Sequence, residues 1–349
     1  MQHREFSVIT SLRSAGVPAA NSSASAPVSV PATGPHPPSA HPHYDRLIEA
    51  VRHLPPLRMA VVHPCSDVSL LAATEAASLG LIEPVLIGPA GKVSEAAAAA
   101  GVDLARFTLF DVPHSHAAAE MAVAMALKGS VDAVMKGSLH TDELMGAVVR
   151  REGGLRTARR ISHCFVMDVP GHPQPLIISD AAINIVPTLE DKVDIVQNAI
   201  DLAHALRLPE VRVALLSSME TVNPKVPSTM DAAALCKMAD RGQITGAVLD
   251  GPLAMDNAID PEAARIKGIV SPVAGKANVL IVPDLDAGNM LAKSLSFLAQ
   301  AYAAGVVLGA KVPIVLTSRA DSRTARLASC ALASMLAEAR RAGRIKAVG

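Results

Sequence analysis

From Met59 onward, short β-branched or apolar runs alternate with longer Ala-rich amphipathic stretches, and this alternation constrains the fold more than any other feature of the chain. The runs are Met59–Val62, Val85–Ile87, Val131–Met135, Leu176–Ile178, Val211–Leu216, Ile244–Leu249, Val279–Val282 and Ile314–Leu316. The stretches between them include Leu70–Leu79, Ala117–Leu127, Asp191–Leu206, Ala232–Ala239 and Met290–Ala304. Strands spaced by helices in this way favour parallel sheets covered on both faces. The expected class is α/β.

Four of the runs lead into polar loops: Lys136-Gly137-Ser138, Ser217-Ser218, Asp250-Gly251-Pro252 and Thr317-Ser318-Arg319. Open α/β sheets bind ligands outside the carboxyl ends of their strands, so the loops are expected to gather around a site there. Ser228-Thr229-Met230-Asp231 has the spacing of a capping box, which makes Asp231 a helix-start residue.

Composition excludes several classes. The 349 residues, 50% of them hydrophobic, suffice for two cores. Lys+Arg and Asp+Glu both number 32, so nothing in the overall charge invites a polyanionic partner. With no Trp, two Tyr and five Phe, stacking platforms for nucleic acid are not expected. Cys65, Cys164, Cys236 and Cys330 form no CxxC pair and read as buried thiols of a reducing compartment. Every apolar run is interrupted by charge before the roughly 18 residues of a membrane helix, so a cytoplasmic protein without membrane attachment is expected. Residues 1–44, rich in Pro, Ser and Ala, read as a disordered tail, with a transit peptide as the alternative.

Several motifs fail. Gly275-Lys276 resembles the end of a P-loop, but Val270 stands where the first Gly should be and Ala277 where Ser or Thr should be. There is no GxGxxG after the first strand and no GxSxG elbow. The pairs His41/His43 and His114/His116 lack further ligands at metal-binding spacing.

The informative region begins Asp250-Gly251-Pro252-Leu253-Ala254-Met255-Asp256 and continues through Ser271-Pro272-Val273-Ala274-Gly275-Lys276-Ala277-Asn278. Pro283-Asp284-Leu285-Asp286-Ala287-Gly288-Asn289-Met290 and Leu316-Thr317-Ser318-Arg319-Ala320-Asp321-Ser322 follow. In order and spacing these blocks resemble the phosphate acetyltransferase and butyryltransferase family. Met135-Lys136-Gly137 with Thr141, Gly154-Leu155-Arg156-Thr157 and Asp180 to Thr188 extend the similarity over nearly everything after the tail. The Ser-Arg-Ala-Asp-Ser and Gly-Leu-Arg-Thr blocks look more like the butyryltransferases and the transferase half of bifunctional enoyl-CoA hydratase/phosphate acetyltransferases. No hydratase domain is visible.

The resemblance implies transfer of a short acyl group, acetyl first and butyryl as the alternative, between coenzyme A and inorganic phosphate. That chemistry needs a base for the thiol, donors for the developing oxyanion and a cationic clamp for phosphate. Arg319 suits the clamp because its fork makes two parallel bonds to phosphate, and Ser318 can donate to the oxyanion. The family's acetyltransferases carry an aspartate base six residues after this Arg, where the chain has Ala325. Asp321 is the nearest carboxylate, either the base or an N-cap for the following helix. Those acetyltransferases also carry an Arg soon after the segment matching His140-Thr141, where the chain reads Leu144-Met145-Gly146; Arg156 is the substitute, with Arg159 second. Lys136, Gly137, Thr141, Asp256, Ser271, Gly275, Lys276, Asn278, Asp284 and Asn289 are the substrate-binding candidates, though Gly, Asn and Asp serve equally in plain turns.

The implied architecture is that of isocitrate and isopropylmalate dehydrogenase-like enzymes, with two three-layer α/β/α domains around a cleft and a homodimeric assembly. The boundaries expected are 45–193 plus 306–349 for one domain and 194–305 for the other, with Ser318-Arg319 and Lys276–Asn278 on facing walls. Acyl-CoA, acyl phosphate and inorganic phosphate are the implied partners, coenzyme A enters as substrate, and no bound cofactor or metal is called for. A hydride-transferring dehydrogenase of the same architecture and a non-catalytic acyl-CoA or acyl-phosphate sensor are the rival readings.

Overall fold

The computed structural model describes residues 39–316 and 321–346. Eleven strands form one sheet: β1 (Leu57–Val62), β2 (Ile82–Gly88), β3 (Thr108–Asp111), β4 (Ala133–Lys136), β5 (Ser162–Asp168), β6 (Leu176–Ser179), β7 (Arg212–Leu216), β8 (Val248–Leu253), β9 (Val279–Ile281), β10 (Tyr302–Leu308) and β11 (Ile314–Val315). Their order is β3-β2-β1-β4-β11-β10-β5-β6-β9-β7-β8. The helices are α1 (Pro42–Val51), α2 (Asp67–Ser78), α3 (Ala90–Ala100), α4 (Ser115–Leu127), α5 (Thr141–Val148), α6 (Leu189–Ala205), α7 (Pro227–Asp240), α8 (Met255–Ile259), α9 (Pro261–Ile266), α10 (Leu285–Leu298) and α11 (Arg323–Arg341).

Both sheet faces are covered, as the apolar runs require. Val134 packs in a cluster with Ala118, Ala122, Leu144 and Met145 of α4 and α5. Its neighbour Met135 joins Cys330 and Ala331 of α11 on the other face. Farther along the sheet, Val166 and Ala304 lie in one cluster with residues of α6 and α11, while Met167 and Leu176 face α8 and α9. Burying every position of such strands is what makes them read as unbroken apolar runs. α11 is the central helix: twelve of its residues are buried, and it crosses both halves of the sheet.

The α/β class stands, with several corrections. All eight apolar runs contribute to strands, but Ile244–Leu249 is displaced toward β8, so Asp250-Gly251-Pro252 lies inside a strand and not in a loop. β5 pairs antiparallel with β6 and β10, and β10 antiparallel with β11. Three reversals between β11 and β6 turn β6, β9, β7 and β8 against β1 to β4, so the loop after β7 does not gather with those after β4 and β11. The stretch Met290–Ala304 divides into α10 and β10. Helix α1 begins at Pro42, inside the stretch expected to be tail. Tyr44 N–H donates to Asp168 Oδ2 at 2.7 Å and the His41 ring stacks on Tyr302 at 3.4 Å, contacts that offset the ordering cost of a polar segment. Residues 1–38 lie outside the described part. Val193 lies within α6 and Gly305 within β10. Among the described residues, no helix is long and apolar enough to cross a membrane.

Candidate active site

The carboxyl ends of β1 and β4 are locked together. Val62 and Lys136 are partners in register, and beyond them Gly137 N–H donates to Val62 O at 2.9 Å and Ser138 N–H to His63 O at 3.0 Å. A Cβ at Gly137 would sit 2.4 Å from Val62 O and 2.7 Å from His63 O, so only glycine permits this approach. The Ser138 hydroxyl donates to His63 O at 2.8 Å, accepts from Cys65 N–H at 3.1 Å and lies 3.3 Å from His63 Nδ1.

Lys136 is a buried cation at this edge, only 9% exposed. Its Nζ donates to Gly137 O at 3.3 Å and to Leu139 O at 3.1 Å. A plain surface lysine is thereby ruled out: the ammonium is held among carbonyls beside the turn into α5. Thr141 is the first residue of that helix and is exposed; the preceding His140 makes no side-chain cap. Glu143, in the first turn, has Oε2 buried with no hydrogen-bond partner among the described residues. Burial lowers the pKa of His63, with Lys92 adding to the effect and Glu143 opposing it, so the ring favours its neutral form.

β11 runs beside β4 with Val315 opposite Met135, which brings the chain to this edge just before Ser318 and Arg319. Ser318 and Arg319 themselves lie outside the described residues. On the far side of that gap, the N-cap of α11 is Ser322, whose hydroxyl accepts from Ala325 N–H at 3.1 Å. Asp321 is half-buried and precedes the cap, so its reading as the helix cap is overturned.

A second buried charge sits in the turn after β6, a strand that runs against β4 and so ends at the opposite edge of the sheet. Asp180, 2% exposed, accepts from the N–H groups of Ala182, Ile183 and Asn184 at 2.9 to 3.1 Å and from Asn184 Nδ2 at 2.6 Å. Ile183 packs against the apolar cluster on the α4 and α5 face, and Asn184 Nδ2 donates to Ile161 O at 2.9 Å, which ties the turn to the start of β5. The start of α10 braces the turn from behind: Asn289 Nδ2 donates to Ala181 O at 3.1 Å, and Asp284 caps the helix by accepting from Ala287 N–H at 2.9 Å. Asp284 thus realises its turn reading. Beneath lies His163, fully buried, whose pKa is pushed down to about 4 by burial against a smaller opposing effect of Asp180.

The remaining candidates are held by structural partners or stand in solvent. Asn278 precedes β9 and is 2% exposed; it accepts from Arg212 N–H at 2.9 Å and donates to Glu210 O at 2.7 Å. Gly275 turns with φ +76°, and a Cβ there would stand 2.5 Å from Pro261 Cα. The Ser271 hydroxyl accepts from Val273 and Ala274 N–H at 3.0 Å, and Lys276 is exposed. Asp256 pairs with Lys267 at 3.0 Å. Arg156 is exposed and its backbone bridges to Ala310. Arg159 pairs with Asp201 at 2.5 Å, which accounts for it without a ligand. Asp231 is no helix start: α7 begins at Pro227, and Asp231 accepts from Lys192 Nζ at 2.6 Å.

The profile of the family described as phosphate acetyl/butaryl transferase matches residues 114–334, a span that takes in Lys136, the Asp180 turn, α10 and the start of α11. The chain belongs to this family. A phosphate acetyltransferase of Rhizobium meliloti is 64% identical over 305 residues, covering 87% of this chain and 96% of that protein. A phosphate butyryltransferase of Clostridium beijerinckii is 38% identical over 295 residues, covering 84% and 98%. Among solved structures, a branched-chain phosphotransacylase from Enterococcus faecalis V583 superposes with a TM-score of 0.71 at 28% identity, covering 80% of this chain and 99% of that one.

Membership in the phosphate acetyl/butaryl transferase family makes the chain an acyltransferase, and its architecture is the dehydrogenase-like α/β fold of the phosphotransacylases. The cysteines offer no ready nucleophile for that chemistry. Burial pushes the Cys65 thiol up to about 11 and the Cys164, Cys236 and Cys330 thiols up to about 12. Only Cys164 and Cys330 are fully buried; Cys65 and Cys236 are half-buried, against the expectation for all four. Sequence reasoning missed His63, Ser138 and Glu143. His63 follows an apolar run directly and Ser138 sits in the Lys136 loop, so a strand-end polar signal was available for both.

Proposed function

We propose that the protein catalyses reversible acetyl transfer between coenzyme A and inorganic phosphate at the edge where β1, β4 and β11 end. The observation that carries the site is the buried Lys136 ammonium held among carbonyls beside the glycine-locked turn. Acetyl is favoured over butyryl because the Rhizobium meliloti acetyltransferase is 64% identical and the Clostridium beijerinckii butyryltransferase 38%.

In the direction that makes acetyl-CoA, the thiol loses its proton, its sulfur attacks the acetyl carbonyl, and phosphate departs carrying the electron pair of the broken C–O bond. Phosphate and its leaving charge require cations in a site of low dielectric. Lys136 supplies a fixed positive charge and Arg319 the bidentate clamp, while Ser318 donates to the oxyanion. With its capping role gone, Asp321 serves as the thiol base. Thr141 opens α5, whose first amide groups point toward the same edge.

The two-lobed division at 45–193 plus 306–349 and 194–305, homodimeric assembly, cytoplasmic location and freedom from any bound cofactor or metal belong to the same proposal. In support, no group of three or more His, Cys, Asp or Glu side chains is gathered for a metal among the described residues. The deciding experiment supplies acetyl, propionyl and butyryl phosphate with coenzyme A and follows thioester formation, with and without a chelator. Acetyl phosphate is expected to be used fastest, unaffected by chelation. No turnover with any of the three would support the sensor reading, and a rate abolished by chelation would refute the metal-free one.

A further inference from the structure

A cavity of about 640 Å³ lies beneath α1, on the sheet face that carries α6 and α11. Lys136 is two residues from Val134, which faces α4 and α5, so the cavity and the Lys136 edge open on opposite faces of the sheet. Its walls are apolar, with Leu47 of α1, Val166 and Ala304 of the central strands, and Ala328 and Met335 of α11. Its charged lining groups are Asp168, Arg46, Arg207 and the ion pair of Glu210 with Arg212. Asp168, 5% exposed, lines the cavity from the end of β5; Oδ2 accepts from Tyr44 N–H, but the buried Oδ1 has no hydrogen-bond partner among the described residues. Arg46 and Arg207 line it too, and both are exposed.

A carboxylate oxygen taken from water without a donor is costly, and natural sites rarely leave one so unless something else supplies the hydrogen bond. The volume is that of a small-ligand pocket, mostly apolar with a few polar groups that fix orientation. We infer that this cavity is a binding site for a small molecule with an ammonium group at one end, an apolar chain in the middle and a carboxylate at the other end. The ammonium donates to Asp168 Oδ1, the chain lies along Leu47, Val166 and Ala328, and the carboxylate meets the exposed Arg207. Arg46 is already engaged, donating to Pro42 O; an alkylammonium alone would leave Arg207 without a partner in the cavity, and a fatty acid would leave Asp168 Oδ1 unpaired. This site is independent of the acyl-transfer reading.

The test titrates the full chain with 6-aminohexanoate, hexylammonium and hexanoate by calorimetry and follows the thermal midpoint of the same samples. 6-Aminohexanoate is expected to bind saturably, to raise the midpoint and to bind more tightly than either single-ended compound. Asp168→Asn keeps an acceptor for Tyr44 N–H and turns an N–H donor toward the ligand, so 6-aminohexanoate should weaken about ten-fold or more. Arg207→Gln should weaken it less, since an exposed charge contributes less than a buried one. Leu47→Trp, which fills the cavity from the half-buried α1 and leaves Asp168 in place, separates loss of the site from loss of the fold. Absence of saturable binding to the folded wild-type chain would overturn the inference, and so would affinity unchanged by both Asp168→Asn and Leu47→Trp.

Discussion

The edge at β1 and β4 and the start of β9 carry similar residues, a lysine, glycines and small polar groups in tight turns, yet their bonding differs. Before β9, Asn278 uses its carbonyl on Arg212 N–H and its amide on Glu210 O, Ser271 caps its own turn, and Lys276 stands in solvent. Beyond β4, the cation is the buried group, and Glu143 keeps a buried oxygen without a partner among the described residues. A turn whose polar groups answer one another holds the fold. One that fixes a buried cation among carbonyls at a strand end holds positive charge where an anionic substrate can meet it, and buried charges of this kind concentrate at functional sites.

The contrast breaks most visibly through rate. Arg319→Lys keeps the charge and loses the fork, so acetyl-CoA formation should fall by roughly ten- to a thousand-fold with the thermal midpoint unchanged. Asp321→Asn, compared in the same assay, should cost about a hundred-fold as a base; a near-normal rate would hand the thiol proton to another group.

The next effect is on stability against pH, beneath the Asp180 turn. His163 titrates near its unperturbed 6.5 when unfolded and at about 4 when folded. Between these values the unfolded chain binds the extra proton, so its contribution is intact above about pH 6.5 and is lost as pH falls toward 4. The loss is on the order of 3 kcal/mol. His163→Phe should flatten the denaturant midpoint over this window; an unchanged slope would show that the ring is not held neutral.

Asn278→Ala should act on stability alone. It removes two hydrogen-bonding roles and leaves Arg212 N–H and Glu210 O unanswered, a cost of about 2 to 4 kcal/mol in chemical denaturation with the rate per folded molecule unchanged. A large loss of rate at full folding would return Asn278 to the substrate.

Asp284→Ala is the smallest: loss of the α10 cap should cost about 1 kcal/mol and leave the acetyl phosphate KM within two-fold or so. A ten-fold rise in KM would make Asp284 a substrate ligand.

Much of this was legible in the sequence, and the rest was hidden for definable reasons. The buried parallel strands announce themselves as apolar runs, because both their faces are covered. β5 was missed because Ser162, His163 and Asp168 break its apolar run, and the partners that let Ser162 and Asp168 be buried, Asn198 and Tyr44, are distant in sequence. β10 was read as the end of a helix because the Ala-rich segment from Met290 through Ala304 carries no breaker except the Gln300 position, whose φ is +55°. The strand reversals depend on pairing, which periodicity does not encode. Within the site, Lys136 and Gly137 were readable as a polar strand end, whereas the occupation of Asn278, Arg159 and Asp256 by structural partners was not. Glu210, Asp201 and Lys267 lie far from them or carry no local signal.

The most direct measurement is the rate of acetyl-CoA formation by Lys136→Met and Lys276→Met, each at saturating substrates and matched for folded fraction by thermal melting. Both exchanges keep the length of the side chain and remove its charge. If the cation at the end of β4 is the one that meets phosphate, Lys136→Met should lose about a hundred-fold and Lys276→Met less than about two-fold. A Lys136→Met enzyme that keeps its rate, or a Lys276→Met enzyme that loses it, would contradict the placement of the site.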